Sequence, residues 1–219
     1  MLFKRIAPHH ITAHPAWITL EYLAILLGTG TFMLIPDGYY HRLLFFVPLA
    51  LYAMLILWHN RHISKPAGIS LRNVLKAFPD YLISTFVLGG LILLTLFVLT
   101  QVLQVPGVTS YGAYEFAPPP LFPYLFVAAP LLEFVYRTFL TTRLRQHLRP
   151  VNAALLAAFA ATFTQIQFTS SFLIGAAFLA NFFLSWLYAH RPNWLLSMLS
   201  HTAIFGLLLL IFRIWVGLE

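Results

Sequence analysis

Cysteine is absent from the 219 residues, which excludes a disulfide framework, a thiolate nucleophile and a thiolate-held metal. Charge is scarce as well. Only 9% of the residues are charged, with 6 acidic against 13 Lys and Arg, too few to clothe a soluble globule of this length. Apolar residues fill the chain instead, at 60%, with 21 Phe among them. Such a composition reads as an all-α polytopic membrane protein whose first partner is the lipid bilayer. A net charge of +7 suggests nucleic acid at first sight. The basic residues, however, lie in short connections between apolar runs rather than in one patch, which is a topology signal, so no nucleic-acid partner is expected.

Crossing about 30 Å of hydrocarbon takes roughly 20 helical residues. Seven windows approach that length, approximately Trp17 to Ile35, Leu43 to Trp58, Tyr81 to Leu103, Phe122 to Thr142, Asn152 to Thr169, Phe172 to Tyr188 and Trp194 to Trp215. Trp17, Trp58, Tyr81, Tyr188, Trp194 and Trp215 stand at their ends, where amphipathic rings favour the headgroup level. The first window starts too far in and lacks a small-residue cleavage site, so it reads as a retained span. No internal repeat or composition break divides the chain, and residues 1–219 read as one bundle of about seven transmembrane helices.

Positive charge accumulates on one side of these spans. Lys4, Arg5, Arg61, Lys65, Arg72, Lys76, Arg143, Arg145, Arg149 and Arg191 share it, while Arg42 alone falls on the other. The positive-inside rule then predicts an integral plasma-membrane protein with its N-terminus in the cytoplasm and its C-terminus outside. Two longer connections stand out. Within His59 to Asp80, the run I-S-L-R-N-V-L-K-A-F reads as an interfacial helix lying on anionic lipid. Between Gln104 and Leu121, Pro118, Pro119 and Pro120 end the external segment before the fourth span.

Chemistry is confined to the second half. Glu133 and Arg137 lie four residues apart in P-L-L-E-F-V-Y-R, close enough to pair on one helix face. Ionisable groups inside a span are costly and mark functional sites facing the protein interior. Thr162, Thr164, Gln165 and Gln167 form a polar stripe in the fifth span, and S-H-T-A-I-F places His201 in the last. At about 1.5 Å per residue, Glu133 lies roughly 13 Å from the cytoplasmic end of its span, Arg137 roughly 8 Å, His201 roughly 10 Å and Gln165 roughly 20 Å. The first three share a level. Each also has a plainer reading: a structural ion pair, a hydrogen-bonded core histidine, and Thr and Gln side chains acting as interhelical glue. Glu21, alone near the cytoplasmic end of the first span, reads as snorkelling or hydrogen-bonded. One His and one Glu make a poor zinc site, so neither metal nor cofactor is expected.

The run A-P-L-L-E-F-V-Y-R, the basic turn to Pro150 and L-Y-A-H-R-P-N-W-L-L-S-M-L-S-H resemble the CAAX-protease and bacteriocin-processing family, also called the Abi family, over about 122–211. The resemblance implies an integral membrane glutamic endopeptidase with motifs of the form E-E-x-x-x-R, F-x-x-x-H and H-x-x-x-N. In that family the first Glu and first His activate water, and the later His and Asn stabilise the oxyanion. Carried over, Glu133 and Arg137 match the second Glu and the Arg, while Leu132 replaces the first Glu. Gln165, or Gln167 after a small shift in the count, replaces the first His. His201 matches the second His, and Phe205 replaces the Asn. Leu132 cannot accept a proton and Gln165 can only orient water, while loss of an oxyanion donor costs about 2.7–4 kcal/mol in barrier.

The candidate catalytic set is therefore Glu133, Arg137, Gln165 and His201. Three functions remain open: an endopeptidase with altered chemistry acting on peptide or membrane-protein substrates; a non-catalytic relative that binds such partners, for instance in bacteriocin immunity; and a transporter whose charged pair lines a pathway.

Overall fold

The computed structural model describes residues 14–33, 39–59, 71–105, 124–165 and 171–216. Among them every regular element is helical. Helix α1 is Pro15–Met33, α2 is Tyr39–His59, and α3 is Leu71–Phe97, continued by a wider turn over Val98–Val102. Helix α4 runs over 124–144, α5 is Pro150–Thr162 with a tighter turn at Phe163–Gln165, α6 is Ser171–His190 and α7 is Trp194–Val216. These seven fall where the sequence predicts seven spans. Helix α3 is long and apolar enough to cross a membrane over Asn73–Val102, 30 residues. The proline run at 118–120 lies outside the described residues, as do the side chains of Arg42 and Arg213.

One expectation needs correction at α3. The interfacial helix and the third span are a single helix that passes through Pro79 and Asp80. Pro79 removes one backbone hydrogen bond, but it faces outward, and continuing the helix buries Ala77 and Tyr81 against Leu187 and Leu196. Gln104, at φ 47°, then ends the helix in the left-handed region.

Local sequence sets the tight turns of the second half. Pro150 opens α5 after an extended Arg149, the first-turn position where a missing N–H is harmless. Asn193 follows Pro192 and caps α7, its Oδ1 accepting the N–H of Leu196 at 3.0 Å. The alanines of α5 (Ala153, Ala154, Ala157, Ala158, Ala160 and Ala161) are all buried. Their small side chains let α6 approach closely, as small residues do at helix interfaces in membranes.

The apolar core has two parts. The larger joins α1, α2, α4 and α5, from Ile18 and Ile25 through Phe46 and Leu57 to Tyr136, Phe139, Ala157 and Ala160. Gly28 permits part of this packing, because a Cβ there would come within 2.7 Å of the Phe45 ring. The smaller part lies between α3, α6 and α7, in two separate clusters around Leu88, Leu184 and Ile204 and around Tyr81, Leu187 and Leu196. A buried polar network crosses the seam between the two parts.

Candidate functional site

Helix α4 carries the charged residues of this network. Over Phe134–Thr141 it is wound with i→i+5 hydrogen bonds, and seven of these eight residues are buried; such wide turns recur at functional positions. Glu133 ends the ordinary α-helical turn before it. Glu133 is 0% exposed and Arg137 1%, so neither charge has solvent to screen it, and both depend on neighbouring side chains.

The carboxylate of Glu133 draws those neighbours mainly from α7. Ser197 Oγ donates to Glu133 Oε2 at 2.5 Å, and His201 Nδ1 lies 2.8 Å from Oε1. Arg137 Nη2 stands farther off, 3.4 Å from Oε1. The guanidinium has a closer partner on α6, donating from Nη2 to Asn181 Oδ1 at 2.5 Å. Asn181 Nδ2 in turn donates to Thr162 Oγ1 on α5 at 3.4 Å, and that hydroxyl donates to Ala158 O at 2.8 Å. Four helices thus meet through one chain of polar contacts. The Phe205 ring stacks on His201, centroids 4.4 Å apart.

The structure therefore gathers Glu133, Arg137 and His201. Gln165 closes the turn after α5, with its side chain outside the described residues, and Gln167 lies outside them altogether. Leu132 is buried in the apolar core with Val135 and Tyr136. Of the polar stripe, Thr162 joins the network, whereas Thr164 donates to Ala161 O on its own helix.

Two members escaped the sequence reading. Ser197 precedes His201 by four residues and shares its face, and Asn181 is an isolated amide in the apolar run L-A-N-F-F. Both signals were present, because a polar side chain in an apolar helix turns inward to find a partner.

A second buried ion pair lies toward the end of α4. Arg143 Nε donates to Glu21 Oε2 at 2.8 Å, the two side chains 1% and 5% exposed. Glu21 Oε1 also accepts from Tyr52 OH at 2.6 Å and Trp17 Nε1 at 3.0 Å. Glu21 is accordingly hydrogen-bonded. Arg143, counted as a loop charge from the sequence, is instead fully buried, because the carboxylate 122 residues earlier draws it inward.

Residues 115–207 match the family model described as type II CAAX prenyl endopeptidase, Rce1-like. This part of the chain is similar to that family. No curated protein and no solved structure matches the chain. The Rce1-like segment takes in the whole Glu133 network, on α4 to α7, together with Arg143. Glu21 on α1, which pairs with Arg143, and Tyr52 on α2, which donates to Glu21, lie before that segment.

Chemically, the network holds one carboxylate and one imidazole as groups able to accept a proton. The other members position these two: Ser197 donates to Glu133, Arg137 stands beside it, Asn181 accepts from Arg137, and Thr162 accepts from Asn181. A hydrolase of the CAAX type needs a base beside an attacked carbonyl and donors for the oxyanion. Next to Glu133 in the chain stands the apolar Leu132, and against His201 lies the ring of Phe205.

Proposed function

We propose that this protein is a membrane-embedded relative of the CAAX endopeptidases in which the hydrolytic centre survives as a structural and recognition network, so that it binds peptide or membrane-protein partners rather than cleaving them. The engagement of Glu133 carries this reading: Ser197 occupies one carboxylate oxygen, His201 and Arg137 crowd the other, and the neighbouring position holds buried Leu132. A carboxylate held by three neighbours and sealed from water is badly placed to activate a water molecule. Bacteriocin immunity is one setting for such a binder.

The test is cleavage of prenylated and unprenylated CAAX peptides by purified protein, alongside Glu133→Gln and His201→Ala. No turnover above the variants is expected from the unsubstituted chain. Turnover that disappears in both variants overturns the proposal in favour of a second reading, slow hydrolysis by Glu133 with His201, which the 2.8 Å approach of their side chains favours.

In the same reading all seven helices cross the bilayer as one domain, with the N-terminus in the cytoplasm. Asp80 and Arg191 meet at 2.9 Å, which supports placing the α2–α3 and α6–α7 connections on one side, as the distribution of Lys and Arg requires. A reporter active only in the cytoplasm should work at the N-terminus and stay silent at the C-terminus. The opposite pattern refutes this orientation.

A further inference from the structure

We infer that α3 is a hinged cover over the Glu133 network, and that its release from α6 and α7 is the route by which a peptide segment in the bilayer reaches Ser197 and His201. The inference rests on the proposed binding role of the network. Glu133 is 0% exposed and Ser197 and His201 are 0% and 3%, so a partner can meet them only after some element moves.

Packing identifies α3 as that element. Helices α1 and α2 share one continuous core of sixteen buried residues with α4 and α5, reinforced by the buried Glu21–Arg143 pair and by Thr29 and Tyr136, whose hydroxyls lie 2.6 Å apart. Helix α3 is held to α6 and α7 by two detached clusters of five and four buried residues. Helix α3 gives four residues to these clusters, as many as α2 gives to the larger core, so what sets it apart is that its contacts are split into separate units, which can open one at a time. The polar contacts of α3 fit a releasable closure: Asp80 pairs with Arg191 where their side chains are 44% and 61% exposed, and Tyr81 OH donates to Arg191 O at 3.1 Å.

The cover also sits at the right place. Thr85 Oγ1 donates to Ser200 Oγ at 2.7 Å, and Ser200 adjoins His201 one turn beyond Ser197. Lifting α3 therefore bares the turn of α7 that holds Glu133. A hinge lies just beyond Thr85. Gly89 and Gly90 are adjacent inside the helix, and a Cβ at either would meet nothing within 4 Å. Close packing does not call for glycine at either position, whereas a glycine pair weakens a helix interior and lets it bend.

The test uses Ser200→Cys, the only thiol in a chain that has none, in lipid nanodiscs with a membrane-permeant maleimide read by mass spectrometry. Adding Gly89→Ala and Gly90→Ala, which fit without clash, should slow labelling on the order of tenfold by stiffening the hinge. Adding Asp80→Asn should speed it about two- to fivefold by freeing Arg191. Equal rates in either comparison overturn the inference. If Ser200→Cys impairs folding, hydrogen exchange of the unsubstituted chain decides the matter. Amides over 77–88 exchanging as a unit ahead of those in α4 and α5 support the cover, and equal protection overturns it. Neither readout needs cleavage or a bound peptide, so the cover can fail while the proposed function stands.

Discussion

Arg143→Ala is expected to destabilise the protein by about 3–5 kcal/mol, the range for breaking a buried ion pair from one side. The substitution strands Glu21, whose side chain is 5% exposed, with the hydroxyl of Tyr52 and the indole N–H of Trp17 as its remaining donors among the described residues. Those two neutral donors do not balance a full negative charge. Glu21→Gln combined with Arg143→Met should recover much of the loss, since replacing both members of a buried pair with neutral groups of similar volume is often near neutral. Reversible unfolding in mixed micelles measures the cycle. Equal stability of the Arg143→Ala single variant and the unsubstituted chain would falsify the view that this contact ties α1 to α4.

Arg137→Leu should have an effect of comparable size, about 3–5 kcal/mol, for a related reason. It removes the counter-charge of Glu133 and also the donor that Asn181 Oδ1 accepts from at 2.5 Å. Combining Arg137→Leu with Glu133→Gln removes the stranded charge but leaves Asn181 without its donor, so the double variant should be more stable than the single without reaching the unsubstituted chain. If the two variants prove equally stable, charge neutralisation is not the role of Arg137. Its contact with Asn181, shorter than its contact with Glu133, would then account for it.

The placement of the helices was legible because it depends on quantities local to the chain. Hydropathy windows, Trp and Tyr at their ends, Pro150 and the R-P-N turn before Trp194 suffice to position seven helices. The run of α3 through Pro79 was not legible. A proline in isolation argues for a boundary, and what overrides it is burial of Ala77 and Tyr81 against side chains more than 100 residues away. The depth of Glu133, Arg137 and His201 followed from rise per residue, but depth says nothing about the rotation of α6 and α7 about their own axes. That rotation selected Asn181 and Ser197 as partners. Arg143 illustrates the same limit, because its sequence neighbours are those of a basic turn and only the fold brings Glu21 to it.

The order of synthesis gives the 3.4 Å contact between Glu133 and Arg137 a meaning that the finished bundle conceals. At roughly 5–20 residues per second, α4 is synthesised several seconds before Ser197 and His201 exist. During that interval each charge has the other, four residues away on its own helix, as its neighbour of opposite sign, and the pair offsets part of the cost of burying both. Later arrivals take over the shorter contacts. Glu21 waits longer still for Arg143, 122 residues behind it, and in the meantime Trp17 and then Tyr52 supply its donors. The pairing within α4 is therefore available to the chain before the other contacts of Glu133 are.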